Sequence, residues 1–260
     1  MKMITQTERL LFLVPAYNEE KNIAQVIRGV RQIIPQADIV VIDDGSRDHT
    51  AQCAEEAGAF TLRHPFNLCI GGTFQTGLKF AQQQNYDLVI RLDGDGQHDP
   101  HYIPQILIAL RQQKADVIIC SRFLEKTDTS YIPFMRLAGI RFFAKMVSQV
   151  TGQLATDTTS GFIGLNRQAV DTLAAYMPQD YPEVEGRIIL HKCHLTTLEI
   201  PAQMRDRVHG QSSINNWRSL YYAIKVSLAL FLTACKDFPI RTKEVVHVYS
   251  NGSTPNGRTH

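Results

Sequence analysis

Short runs of aliphatic and β-branched residues alternate along this chain with longer segments in which apolar residues return every three or four positions. The runs predict strands at 10–16 (LLFLVPA), 38–43 (DIVVID), 59–64 (AFTLRH), 87–93 (DLVIRLD), 116–121 (DVIICS), 160–166 (SGFIGLN) and 195–201 (LTTLEIP). The periodic segments predict helices at 19–34, 48–57, 71–84, 101–113, 136–151, 167–175 and 183–193. Such alternation builds the α/β class, a mostly parallel twisted sheet flanked by helices. A domain over 1–214 is long enough to bury a sizeable core. Beyond it, 215–236 (NNWRSLYYAIKVSLALFLTACK) reads as one amphipathic helix, and 237–260, closing SNGSTPNGRTH, is polar enough to be expected as a disordered tail.

Ligands of an open α/β sheet sit beyond the carboxyl ends of its strands. Here PAYNEE follows the first strand, DDGSRDHT the second, DGDGQHD the fourth and SR the fifth, so acids, an aromatic and an arginine converge on one rim. The acid-rich stretch RLDGDGQHDP admits a calcium loop, a divalent-metal site serving a phosphate, or a solvated turn. Counted from Asp93, an EF-hand would need Gly where His98 stands and Glu where Pro104 stands, so that reading fails. Mg²⁺ or Mn²⁺ needs only one or two carboxylates when phosphate oxygens complete its shell. Asp93 and Asp95, separated by one glycine, fit that need. GGTFQTG (71–77) follows the third strand rather than the first, so it is not a dinucleotide fingerprint. It serves backbone packing beside a ligand, with Gly72 counted among the ligand-binding residues, or plain helix packing. There is no GxxxxGK[ST] loop.

Lys and Arg number 27 against 25 acidic residues, which gives no reason to expect a nucleic-acid partner. Five cysteines with no CxxC pair argue for reduced thiols in a cytosolic setting. Cys193 between His191 and His194 lacks a fourth ligand at zinc spacing. The N-terminal MKMITQTERLLFLVPAY has no signal-peptide organisation, and YYAIKVSLALFLTA is too short to span a bilayer, so a soluble or membrane-surface body is expected.

VPAYNEE, VIDDGSRDHT, NLCIGGTFQTGLKFA, DGDGQHDP, SRF, DTTSGFIGLNR, YPEVE and RVHGQSSI, in this order from about residue 10 to residue 214, resemble the family 2 inverting glycosyltransferases, in particular the dolichyl- or polyprenyl-phosphate sugar synthase branch. The resemblance implies a GT-A fold that binds a nucleotide-diphosphate sugar and Mg²⁺ or Mn²⁺. It implies that Pro15, Ala16, Tyr17 and Glu19 line the nucleotide pocket and that Asp44 contacts base or ribose. Asp93, Asp95 and Gln97 would hold the metal against the diphosphate. Arg122 would serve the acceptor phosphate or the donor diphosphate, and Arg207 and Ser212 would lie on a loop closing over it. Three positions depart from the pattern: Ile163 where relatives commonly carry Arg or Lys, Ile140 where a small hydroxyl residue is frequent, and Cys69 for a common glycine. Arg136 and Arg141 are substitutes for the missing charge by sequence proximity only.

The implied reaction is transfer of a hexose, mannose or glucose, to undecaprenyl or dolichyl phosphate for cell-envelope glycan synthesis. The competing readings are transfer to a glycan hydroxyl, with Asp157, Glu183 or Glu185 as base, and an inactive partner-binding homologue. On the 215–236 helix, Arg218, Lys225 and Lys236 fall within about 20° of one another, with Trp217, Tyr221, Ile224, Leu228 and Phe231 on other faces. A narrow basic stripe on an apolar helix suits the membrane interface and a cytoplasmic, peripheral location at its inner face. The alternative is packing on the domain, on a membrane partner protein or on a second copy of the chain.

Overall fold

Every residue of LLFLVPA after Leu10 is buried, as suits a strand covered by helices on both faces. The computed structural model describes residues 8–125, 134–178, 181–205 and 216–238. In chain order it forms β1 (Leu10–Ala16), α1 (Ile23–Ile33), β2 (Asp38–Asp43), α2 (Thr50–Glu56), β3 (Phe60–Arg63), α3 (Cys69–Gln83), β4 (Leu88–Arg91) and α4 (Ile103–Arg111). There follow β5 (Val117–Ser121), α5 (Phe134–Thr151), β6 (Ile163–Asn166), α6 (Arg167–Tyr176), α7 (Pro182–Lys192), β7 (Thr197–Pro201) and α8 (Asn216–Cys235). The expected strands and helices are all present.

The seven strands lie in the order β3-β2-β1-β4-β6-β5-β7. All neighbours are parallel except β6, which runs antiparallel to β4 and to β5. Alternation along β1 splits the core. Phe12 and Val14 face one way and pack with Ile23 and Ile27 of α1 and Ile103 and Ile106 of α4. Leu11 and Leu13 face the other way, against Phe74 and Leu78 of α3 and Val170 and Leu173 of α6. Gly77 permits the α3 contact, since a Cβ there would lie 1.9 Å from Leu13 Cδ1. The 71–77 glycines thus include one with a plain packing duty.

The strand order reverses between β1 and β4, the topological switch point at which such sheets open a ligand crevice. Element starts differ from the sequence expectation for local reasons. Asn18 has φ 54, a left-handed turn that delays α1 to Ile23. Before α4, Asp99 caps a 3₁₀ turn (Pro100–Tyr102) by accepting the His101 N–H at 3.1 Å, so this third acid of RLDGDGQHDP has a structural duty.

α8 closes a third cluster in which Val226 and Leu230 meet Phe143 and Val147 of α5 and Val184 and Ile188 of α7. Thr233 Oγ1 also donates to Glu185 Oε2 at 2.7 Å. Opposite that buried side, Leu228, Phe231 and Leu232 are exposed by half or more. The helix therefore packs on the domain with one face and presents an apolar stripe with the other. Trp217, Arg218, Tyr221 and Ile224 have side chains outside the described residues.

Candidate active site

The loops after β1, β2 and β4 meet in a cleft of about 240 Å³. Its wall brings together Pro15, Ala16, Tyr17, Glu19, Asp44, Asp93 and Asp95, all singled out in the sequence, with Asn67, Cys69, Ile70 and Thr73 from the start of α3. Backbone bonds fix the rim: Asp44 N–H donates to Ala16 O at 2.9 Å, and Gly94 N–H to Pro15 O at 3.1 Å. Gly72 is not part of this wall. Cys69 has φ 62, the left-handed backbone that explains the glycine common at its position. Tyr17 is 43% exposed, leaving its ring face open to a planar partner. Glu19 is buried and accepts from Asn22 Nδ2 at 2.7 Å.

Asp93 stands at the end of β4 on a buried cation. Arg91 is 1% exposed; its Nη2 donates to Asp93 Oδ1 at 3.0 Å and its Nη1 to Glu183 Oε1 of α7 at 3.1 Å. Burial alone would raise the Asp93 carboxyl, but Arg91 outweighs burial and holds it below the ordinary carboxylate range. His98 accepts the Asp93 N–H at Nδ1, 3.0 Å, and stacks on Phe162. Its burial pushes its pKa down, so its ring is neutral at neutral pH. Gly161 of the TSGF motif lies against this group: a Cβ there would come within 2.5 Å of Asp93 Oδ2. Ile163 is paired in register with Arg91 of the neighbouring strand, whose guanidinium is already taken by Asp93 and Glu183.

Asp95 lines this cleft and a second one of about 240 Å³ that Asn22, Arg28 and Arg205 also border. Its Oδ1 accepts the Gln97 N–H at 3.1 Å. The Gln97 side chain gives its Nε2 to Arg205 O at 3.5 Å, so its carbonyl oxygen remains an acceptor. No group of three or more His, Cys, Asp and Glu at metal-holding spacing occurs among the described residues. An oxygen set of Asp95, Gln97 and Asp93 fits Mg²⁺ or Mn²⁺ completed by substrate oxygens. Of the set, Asp93 is also bonded to Arg91 and Asp95 borders both clefts.

Arg122, after β5, is held bidentately by Asp157: Nε to Oδ2 at 2.7 Å and Nη2 to Oδ1 at 2.8 Å. Thr159 Oγ1 adds a contact at 2.5 Å. Burial would raise the Asp157 carboxyl, but the hydrogen bonds and charge of Arg122 bring it below the ordinary range. Beneath them, Arg187 Nη2 donates to Asp157 O at 2.6 Å and pairs with Glu199 of β7 at 2.7 Å. Glu199 in turn accepts the Thr156 N–H at 3.0 Å. Asp157 is therefore built to orient an arginine; as a base it would start weak and out of reach. Glu183 serves Arg91, and Glu185 turns to α8, so the three acids named as possible bases are all engaged. Arg207, Ser212 and Arg136 fall on residues or side chains outside those described.

The sequence reading missed Arg91, His64, Arg187 and Glu199. Arg91 had a usable signal, a charge inside an otherwise apolar strand; the others sit among ordinary polar positions.

Residues 12–174 match the family model described as Glycosyl transferase family 2, and the chain belongs to that family. The chain is 31% identical to an undecaprenyl-phosphate mannosyltransferase of Micrococcus luteus, over 80% of this chain and 88% of that one. It is 26% identical to a UDP-N-acetylglucosamine–dolichyl-phosphate N-acetylglucosaminyltransferase of Methanococcus voltae, over 75% of this chain and 85% of that one. In fold it resembles glucosyl-3-phosphoglycerate synthase of Mycobacterium tuberculosis, crystallised with Mn²⁺, UDP and phosphoglyceric acid. The TM-score is 0.65 and the identity 16%, with 90% of this chain and 80% of that one covered. The architecture is thus that of the GT-A glycosyltransferases.

The Arg122–Asp157 pair yields a stability prediction. Replacing Asp157 with Ala removes the carboxylate that holds the largely buried Arg122 guanidinium and should cost about 3–5 kcal/mol in urea unfolding at neutral pH. Because the folded-state carboxyl lies below its unfolded value, the pair's contribution is present above the ordinary carboxylate pKa and fades as pH falls through the folded one. The gap between wild type and variant should therefore narrow in acid; a gap independent of pH would show that Asp157 does not carry the pair.

Proposed function

We propose that this chain is an inverting, metal-dependent hexosyltransferase that moves mannose or glucose from a nucleotide-diphosphate sugar to polyprenyl phosphate, undecaprenyl or dolichyl, in cell-envelope glycan synthesis. One observation carries the choice of acceptor: Asp157, Glu183 and Glu185, the candidate bases, are each committed to an arginine or a hydroxyl. A hydroxyl acceptor must lose a proton to a base, whereas a phosphate arrives ionised and asks only for positive charge. The names of the Micrococcus and Methanococcus relatives support the same acceptor class.

In this reading an acceptor phosphate oxygen attacks the anomeric carbon, and the bond from that carbon to the diphosphate oxygen breaks. The products are a nucleoside diphosphate and a glycosyl phosphodiester of inverted configuration. Tyr17 and Asp44 receive the base, and Arg122, oriented by Asp157, meets the acceptor phosphate or the donor diphosphate. Asp95, with Gln97 and Asp93 beside it, would hold a divalent ion, which would supply charge neutralisation for the leaving diphosphate.

No described helix is long and apolar enough to cross a membrane. The outer stripe of α8, Leu228, Phe231 and Leu232, borders the exposed Lys225 and Lys236, a combination that suits headgroup binding at the inner leaflet. The acceptor's lipid chain stays in the bilayer, so the enzyme comes to it as a peripheral protein.

Replacing Asp95 with Asn should abolish hexosyl transfer to a short-chain polyprenyl phosphate across a Mn²⁺ titration while leaving the melting temperature within a few degrees. Retention of full activity would remove Asp95 from the site.

For the membrane surface, deleting α8 would open the core that Val226 and Leu230 close, so surface variants are the sharper tool. Wild type should float with anionic vesicles, and the paired change Leu228→Glu with Phe231→Glu should stay in the pellet while still releasing nucleoside diphosphate slowly from donor. Equal flotation of both would sink the membrane assignment.

A further inference from the structure

The Asp44 carboxylate is held by a chain of groups outside the cleft. Its Oδ1 accepts two hydrogen bonds, from Leu68 N–H at 2.8 Å and from His64 Nδ1 at 2.7 Å. A carboxylate oxygen that already takes a backbone N–H can only accept from the ring, so Nδ1 carries a proton. The other ring nitrogen, Nε2, lies 3.0 Å from Thr76 Oγ1, which lies 3.0 Å from Gly72 O. With a neutral ring, the Thr76 hydroxyl donates to Nε2. With a charged ring, Nε2 donates to Thr76, which passes its own hydrogen to Gly72 O. Either arrangement of the Thr76 hydroxyl leaves Nδ1 donating to Asp44. The end of β3 does not need the ring for its own order, since His64 N–H donates to Asp43 O at 2.9 Å.

Both donors go to Oδ1, and among the described residues no hydrogen-bond donor reaches Oδ2 of Asp44, although the residue lines the cleft. We propose that His64 is a positioning residue of the donor-base subsite: it fixes Asp44 as a pure acceptor whose second oxygen selects a nucleoside base presenting a ring N–H. Uracil and guanine present one; cytosine and adenine turn a lone pair to the same edge and are repelled by a carboxylate. The inference rests on the reading of this cleft as the nucleotide-sugar site, and it narrows the donor to those two bases through a residue outside the cleft wall. His64 is 8% exposed and does not line the cleft, so its effect on a ligand passes through Asp44.

The test is calorimetric titration of the full chain with UDP, GDP, CDP, ADP and inorganic pyrophosphate, each with Mn²⁺, on wild type, Asp44→Asn, His64→Phe and His64→Asn. Wild type should bind UDP or GDP at least about tenfold more tightly than CDP and ADP. His64→Phe keeps a ring of similar size but no donor, and should lose about tenfold in affinity for the preferred nucleotide. His64→Asn restores an N–H on the Asp44 side and should stay within about threefold of wild type. Pyrophosphate has no base, so its affinity should be the same in every variant, a readout that a merely structural defect would move. Loss of pyrophosphate binding in parallel with nucleotide binding, or an unchanged nucleotide affinity in His64→Phe beside a weakened Asp44→Asn, overturns the role of His64. Failure of wild type to bind any nucleotide overturns the reading of the cleft on which it rests.

Discussion

A single buried cation organises the centre of this protein. Arg91 ends β4, a strand otherwise made of Leu, Val and Ile, and it is 1% exposed. A guanidinium taken out of water costs several kcal/mol unless its hydrogen bonds are met. Asp93 and Glu183 meet them, and the ring of Phe74 covers one face at 4.7 Å. These contacts reach from β4 to α7 and to α3, so the strand at the switch point, the helix behind it and the helix above it are tied at one place. The same requirement fixes the aim of Asp93, sets Gly161 where no Cβ fits, and occupies Glu183.

Around that centre the carboxylates divide by partner. Those paired to arginine, Asp93, Asp157, Glu183 and Glu199, act as frame: they aim a guanidinium or are aimed by one. Asp44 and Asp95 line the cleft, where Asp44 accepts from Leu68 N–H and His64 and Asp95 accepts the Gln97 N–H. Carboxylates held in that manner keep acceptor capacity for a ligand's N–H or for a hard cation. A frame rich in arginine and poor in uncommitted bases is chemically matched to an acceptor that arrives already anionic.

Much of this was legible in the sequence because it rests on local rules. Continuous apolar runs such as LLFLVPA give buried parallel strands, and the polar residues just after them had to gather at one rim, as Tyr17, Asp44 and Asp95 do. Long-range pairing was not legible. Arg91 and Glu183 are far apart in the chain, as are Asp157 and Arg187, and nothing in either local pattern names its partner. For the same reason Asp157 read as a possible base and is found orienting Arg122. The direction of β6 was equally hidden, since its alternation is compatible with either orientation. The 215–236 helix was read as either membrane-facing or packed; Val226 and Leu230 pack on the domain, and Leu228 and Phe231 are exposed.

The central claim, that the acceptor is a phosphate, is tested most directly by phosphorus NMR of a reaction holding the full chain, Mn²⁺, a sugar nucleotide and a short-chain polyprenyl phosphate. The account predicts that the acceptor's phosphomonoester resonance is converted to that of a phosphodiester as nucleoside diphosphate appears, one for one. Release of nucleoside diphosphate with the acceptor resonance unchanged, and with sugar recovered on a glycan hydroxyl instead, would contradict it.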